Sequence, residues 1–246
     1  MKRIAIIGAT SLIAEQSARL WVREAVALTL VGRELSRLER IAADLRVRSP
    51  QSSIVCKVTD FADARAIASF VDDLDAEGGA QDLVLIAHGT LPDQKACEQD
   101  LVVAREALAV NGLSPVLFAE AFARRMAEKG QGTIAVIGSV AGDRGRRSNY
   151  VYGAAKSLVD RYLEGMRHRF AGTGVRVITI KPGPTDTPMT AHLKGGVKLA
   201  APEDVAAAIV SGVEAGKPVI YAPFKWRIIM AVIRALPTVI FNRLNI

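Results

Sequence analysis

Cysteine, histidine and aromatic residues are all scarce in this 246-residue chain. Cys56 and Cys97 have neither metal-ligand spacing nor the density of a disulfide-stapled fold, a usage that fits a reducing compartment. The three histidines, His88, His168 and His192, do not cluster with cysteines or carboxylates, so no metal site is expected. No stretch of 18 or more apolar residues occurs, so nothing is expected to cross a bilayer. The first apolar run is too short for a signal peptide, and a cytoplasmic protein is the expectation. The net charge of +7 comes without an aromatic-and-basic stacking motif, so nucleic acid is not an expected partner. Linkers, repeats and low-complexity segments are absent too.

Half of the residues are hydrophobic, enough for one substantial core. Strand-like apolar runs fall at 3–7, 27–31, 53–58, 82–86, 133–138, 175–180 and 217–221, with amphipathic segments near 12–24, 34–46, 61–76, 98–128, 151–171 and 202–214. This alternation predicts α/β architecture: one doubly wound (Rossmann) parallel sheet of about seven strands, with helices on both faces. The expected domain spans 1–223, and 224–246 is a basic apolar extension of it.

Two groups of residues point to chemistry. After the first apolar run, Gly8 opens a polar turn that leads into a helix-like pattern near Leu12. Strand, tight turn and helix N-terminus together aim backbone N–H groups and the positive end of a helix dipole at an anion, and a pyrophosphate suits that site. Further along, Tyr152 and Lys156 are four apart, so a helix places them on one face. An ammonium beside a phenol is expected to lower the phenol pKa and make Tyr152 an acid/base. Ser139, thirteen residues before Tyr152, ends a strand-like run and is placed to hold a substrate oxygen.

In this order, these motifs resemble the short-chain dehydrogenase/reductase family over nearly the whole chain, from Lys2 to about Tyr221. The family's glycine-rich loop matches Ile7 to Ala14, its active-site Asn, Ser, Tyr and Lys match Asn111, Ser139, Tyr152 and Lys156, and its Pro-Gly-x-x-x-Thr element matches Pro182, Gly183 and Thr187. The resemblance implies a nicotinamide-dependent hydride transfer between a ketone and a secondary alcohol. Tyr152 would act as acid/base, Ser139 would orient the carbonyl, and Asn111 would hold a water in the proton relay. The implied cofactor contacts are Gly8, Thr10, Ser11, Leu12, Ile13, Arg33, Lys57, Val58, Ala87, His88, Gly89, Tyr152, Lys156, Pro182, Gly183, Thr185 and Thr187. Leu12 and Ala14 stand where the family has glycines, and Ile86-Ala87-His88-Gly89 replaces its Asn-Asn-Ala-Gly. Lys57 replaces an aspartate. His168 and His192 read as helix-surface and lid positions.

Arg33 follows the second strand, where an acid would favour NAD and an arginine accommodates the 2′-phosphate of NADP. NADP(H) is therefore favoured, and NAD(H) stays open because Glu34 is adjacent. No acid follows Glu214, while Lys217, Lys225, Arg227, Arg234 and Arg243 do. The segment from 224 combines these cations with Trp226, Ile228, Ile229, Met230, Val232, Ile233 and Phe241, and Pro237 limits its main helix to about ten residues. Such a helix suits the inner face of an anionic membrane, and it equally suits packing in a homo-oligomer, a dimer or tetramer. SVAGDRGRRSNYVYGAAK, TPMTAHLK and the tail resemble a subgroup, the keto-reductase subunits of the decaprenylphosphoryl-ribose 2′-epimerase system. That resemblance implies a keto-sugar on a polyprenyl phosphate, with Arg144, Arg146 and Arg147 placed to receive phosphate. A cytosolic reductase of a soluble ketone or acyl thioester, and a nonenzymatic nucleotide sensor, are the alternatives.

Overall fold

Seven parallel strands form a single sheet in the order β3-β2-β1-β4-β5-β6-β7. They are β1 (Lys2–Ile7), β2 (Val26–Gly32), β3 (Ser53–Val58), β4 (Leu83–Ile86), β5 (Gln131–Ile137), β6 (Gly174–Pro182) and β7 (Val219–Ala222). The computed structural model describes residues 1–193 and 198–244. Lys194, which ends TPMTAHLK, the side chain of His192 with its lid assignment, and the last two residues of the 224–246 extension lie outside the described set.

Both faces of the sheet are covered, so its inner strands read as continuous apolar runs rather than alternating ones. Ile4 and Ile6 face one core with Ala14 and Ala18 of α1 (Leu12–Trp21), Leu38 and Leu45 of α2 (Leu35–Arg48), and Val205 and Ile209 of α8 (Pro202–Glu214). Ala5 and Ile7 face a second core with Phe70 of α3 (Ala64–Gly78), Phe118 and Phe122 of α6 (Ser114–Lys129), and Leu163 of α7 (Tyr150–Arg169).

The segment expected as one helix over 98–128 is divided. It comprises the end of α4 (Gln94–Gln99), α5 (Leu101–Leu108), a π-helical turn at Ala109–Leu113, and α6. Asp100 separates the first two because its side chain accepts from the Val102 N–H and restarts the helix. Pro115 has no N–H to close the α-helical bond to the Asn111 carbonyl, which favours the wider turn there. The run Leu101–Lys129 is long and apolar enough to cross a membrane by length and composition, which the expectation of no spanning segment had not foreseen. Its apolar character has a local cause, since Val116, Phe118, Ala119, Phe122, Ala123 and Met126 fill the second core.

After β7 the chain forms α9 (Lys225–Ala235), and Pro237 caps the short α10 (Thr238–Phe241). Met230 is fully buried, whereas Phe224, Ile228, Val232, Val239 and Ile240 are each at least half exposed.

Candidate active site

The carboxyl edge of the sheet gathers most of the predicted residues, from six segments and the end of β2. Gly8 adopts φ +81°, and its N–H donates to the Val31 carbonyl at 2.8 Å. A Cβ there would lie 2.7 Å from the His88 Cβ and backbone nitrogen, so only glycine lets the β1 turn sit this close to the loop after β4. Ser11, at the cap of α1, makes no side-chain capping bond, which leaves the first-turn N–H groups to an external anion. Thr10 and Leu12 are partly exposed beside it. Ile13 and Ala14 are buried, so the helix packs on the sheet even where the family has glycine at 14.

Ala87, His88 and Gly89 follow β4. The Ala87 N–H bonds the Ile7 carbonyl at 2.8 Å. His88 Nε2 pairs with Ser114 Oγ at 2.9 Å, and its ring meets Phe61 and Phe118 edge-on. Burial, aided by the positive charges of Lys156 and Arg33, lowers the His88 pKa to about 3, so its imidazole is neutral. Gly89 lies against Asn111, whose Oδ1 would be 2.8 Å from a Cβ at that position. The π turn carries Asn111 into full burial. There its Oδ1 accepts from the Thr90 N–H, and its Nδ2 donates to the Ala107 carbonyl, each at 2.9 Å.

Ser139 caps the turn Val140–Asp143 by accepting from the Ala141 N–H, and its hydroxyl acts to lower the pKa of the Tyr152 phenol. Lys156, one turn further along α7, is 2% exposed and donates to the Ile137 carbonyl at 3.0 Å. The lysine does not act on the phenol as the spacing suggested. Its Nζ stands 5.7 Å from the Tyr152 ring centroid, and burial pushes the Tyr152 pKa up to about 12 against the lowering influence of Ser139. Burial also draws Lys156 down to about 8, opposed by Asp160. Desolvation outweighs an ammonium at that distance, and the phenol stays protonated.

Pro182 and Gly183 are buried at the end of β6. Trp226 of α9 lies flat enough against Gly183 that a Cβ would overlap its indole. Thr185 Oγ1 donates to the Gly183 carbonyl at 2.9 Å, and Thr187 meets Thr190 through its N–H and hydroxyl. Arg33 is exposed just past β2, two residues after the carbonyl that anchors Gly8. Lys57 is committed elsewhere, since its Nζ pairs with Glu77 of α3 at 2.5 Å, and neighbouring Val58 is 50% exposed.

The three arginines divide. Arg144 turns away from the site and donates to the Ile233 and Leu236 carbonyls at the end of α9. Arg146 sets Nη2 against Met230 Sδ at 3.3 Å and leaves its buried Nε without a hydrogen-bond partner. Arg147 is exposed. Sequence reasoning missed Trp226 as a wall of the site. It also missed Asp143, Asp160 and Lys181, although Asp160 follows Lys156 by one more helical turn, a legible signal.

A family model described as short chain dehydrogenase matches residues 2–197. The chain belongs to the short-chain dehydrogenase/reductase family. An "Uncharacterized oxidoreductase" of Mycobacterium tuberculosis (strain ATCC 25618 / H37Rv) is 32% identical over 241 residues, covering 98% of this chain and 96% of the relative. The cis-4-hydroxycyclohexanecarboxylate dehydrogenase of Sinomonas cyclohexanicum is 31% identical over 222 residues, 85% of this chain and 88% of that one. A short-chain dehydrogenase from Burkholderia cenocepacia J2315, solved in complex with NADP, shares the fold over 100% of both chains with a TM-score of 0.82 at 20% identity.

Proposed function

We propose that this member of the family is an NADP(H)-preferring oxidoreductase that interconverts a ketone and a secondary alcohol, with Tyr152 as its acid/base. The observation that carries the reading is the convergence of Ser139, at the turn after β5, with Tyr152 and buried Lys156 one helical turn apart on α7. Ser139 orients the ketone oxygen, and Tyr152, protonated across the neutral range, gives its proton to that oxygen. Oxidation runs the same proton back. A nicotinamide cofactor, when bound, supplies or accepts the hydride. Gly8, Ser11 and the α1 N-terminus fit its pyrophosphate, and Lys156, Pro182, Gly183 and Thr187 fit its nicotinamide half. Arg33, free of the strand ladder at the β2 end, suits a 2′-phosphate. The Burkholderia structure's NADP agrees with that preference.

The substrate favoured here is a keto-sugar carried on a polyprenyl phosphate at an anionic membrane surface. Arg146 offers its underpaired guanidinium to phosphate, and α9 and α10 pair exposed Phe224, Ile228, Val232 and Val239 with exposed Lys225, Arg227, Arg234 and Arg243. A soluble ketone would need neither feature. Flotation with phosphatidylglycerol liposomes that is lost on removing residues 224–246 supports this substrate class, and no flotation at low salt rejects it.

Cofactor choice is tested by titrating NADPH and NADH against wild type and Arg33→Ala. Tighter NADPH binding in wild type, with the preference collapsing in the variant, is the expected result. Binding of neither nucleotide rejects the enzymatic reading in favour of a nonenzymatic module.

A further inference from the structure

Tyr152, Lys156 and Asp160 stand on successive turns of one face of α7, each four residues from the next. The Asp160 side chain is 14% exposed and faces Lys181, whose Nζ lies 2.5 Å from Asp160 Oδ2 and 2.5 Å from Asp143 Oδ1. The Asp143 side chain is 1% exposed, and Asp143 closes the turn that Ser139 opens. Its Oδ2 also accepts from the Tyr221 hydroxyl of β7 at 2.9 Å. Lys181 itself immediately precedes Pro182 and Gly183. A single ammonium thus joins the segments that carry Ser139, Lys156 and Gly183.

The charges of this buried chain do not cancel among themselves. Two carboxylates face one lysine, and Asp160 Oδ1 is buried without a hydrogen-bond partner. Lys156 spends its own hydrogen bond on the Ile137 carbonyl, so it meets Asp160 through space. Adding Lys156 makes the cluster neutral, which is how buried charges are tolerated.

We propose that the Asp143–Lys181–Asp160 chain is a positioning element for Lys156, holding the three site segments together and keeping that lysine protonated in the neutral range. The other groups around Lys156 do not supply a negative charge. Tyr152 on the same helix is a protonated phenol, His88 beyond β4 is a neutral ring, and Asn111 is an amide. Asp160 in turn faces Lys181 of β6, Asp143 of the turn and Arg167 of α7. Burial draws Lys156 down, and Asp160 pulls against it. The proposal rests on the reading of Lys156 as the active-site lysine only for its kinetic consequence.

The test uses the full-length protein labelled with 13C at lysine Cε, with the Lys156 resonance assigned by Lys156→Met. Wild type and Asp160→Asn are titrated from about pH 6 to about pH 11. The expected result is a Lys156 midpoint lower by about one pH unit in Asp160→Asn, with Asp160→Glu restoring most of it. The basic limb of kcat/KM for ketone reduction moves down in step. Should Asp160→Asn fail to fold, Asp143→Asn lets Lys181 neutralise Asp160 more fully and lowers the midpoint in the same direction. An unmoved midpoint in a folded variant overturns the proposal. A shifted midpoint in a protein that reduces no ketone upholds it and removes the oxidoreductase reading instead.

Discussion

Arg144 and Leu236 are joined across 92 positions of sequence, the guanidinium donating to the carbonyl at 2.7 Å where α9 ends. The same side chain reaches the Ile233 and Arg234 carbonyls and lies 3.8 Å from the centroid of the Phe241 ring. A cation at a helix C-terminus satisfies carbonyls that the helix leaves unpaired and opposes the negative end of its dipole. Arg144 therefore latches the tail to the loop between Ser139 and Tyr152.

Replacing Arg144 with alanine is expected to destabilise the tail by about 2 kcal/mol, the scale of a lost charged hydrogen bond. Trypsin cleavage at Arg227 and Arg234 should rise several-fold as α9 opens locally. Cleavage at the wild-type rate would contradict the latch.

His88 contributes to the acid side of the stability curve. The folded protein holds the ring near pKa 3, while the unfolded chain binds a proton at about 6.5. Stability from this group is complete above about pH 6.5 and is lost as pH falls toward 3. His88→Phe keeps the contacts with Phe61 and Phe118 but cannot titrate. Its Tm should decline less over that window than wild type's, and parallel curves would show that another group is responsible.

Gly8→Ala places a methyl within 2.7 Å of His88 at φ +81°. The strain should cost about 1–3 kcal/mol by thermal or chemical unfolding. NADPH affinity should fall with it, because the β1 turn and the α1 N-terminus move together. Retained stability and affinity would show that the turn relaxes without consequence.

Much of this was legible in the sequence. The seven strands lie within a few residues of their apolar runs, and α9 stops before Pro237 as proline's missing N–H requires. Over 98–128, helical periodicity persisted through changes of helix type, and periodicity alone does not show a π turn. The Tyr152 pKa was misread for a physical reason: spacing placed an ammonium nearby, but not the desolvation that outweighs it. Lys181 was hidden because its partners, Asp143 and Asp160, come from distant segments that only the sheet brings together. Arg144 read as a cation at the mouth of the site, and only the fold shows that its carbonyl partners belong to the tail.

The most direct test of the account is single-turnover reduction of a panel of keto-sugar and simple ketone substrates by wild type and Tyr152→Phe, each preloaded with NADPH. The account predicts that both proteins bind NADPH and melt alike, while the variant loses about 10²–10⁴-fold in rate, the contribution of one positioned acid. A variant that oxidises NADPH as fast as wild type would contradict the role given to Tyr152.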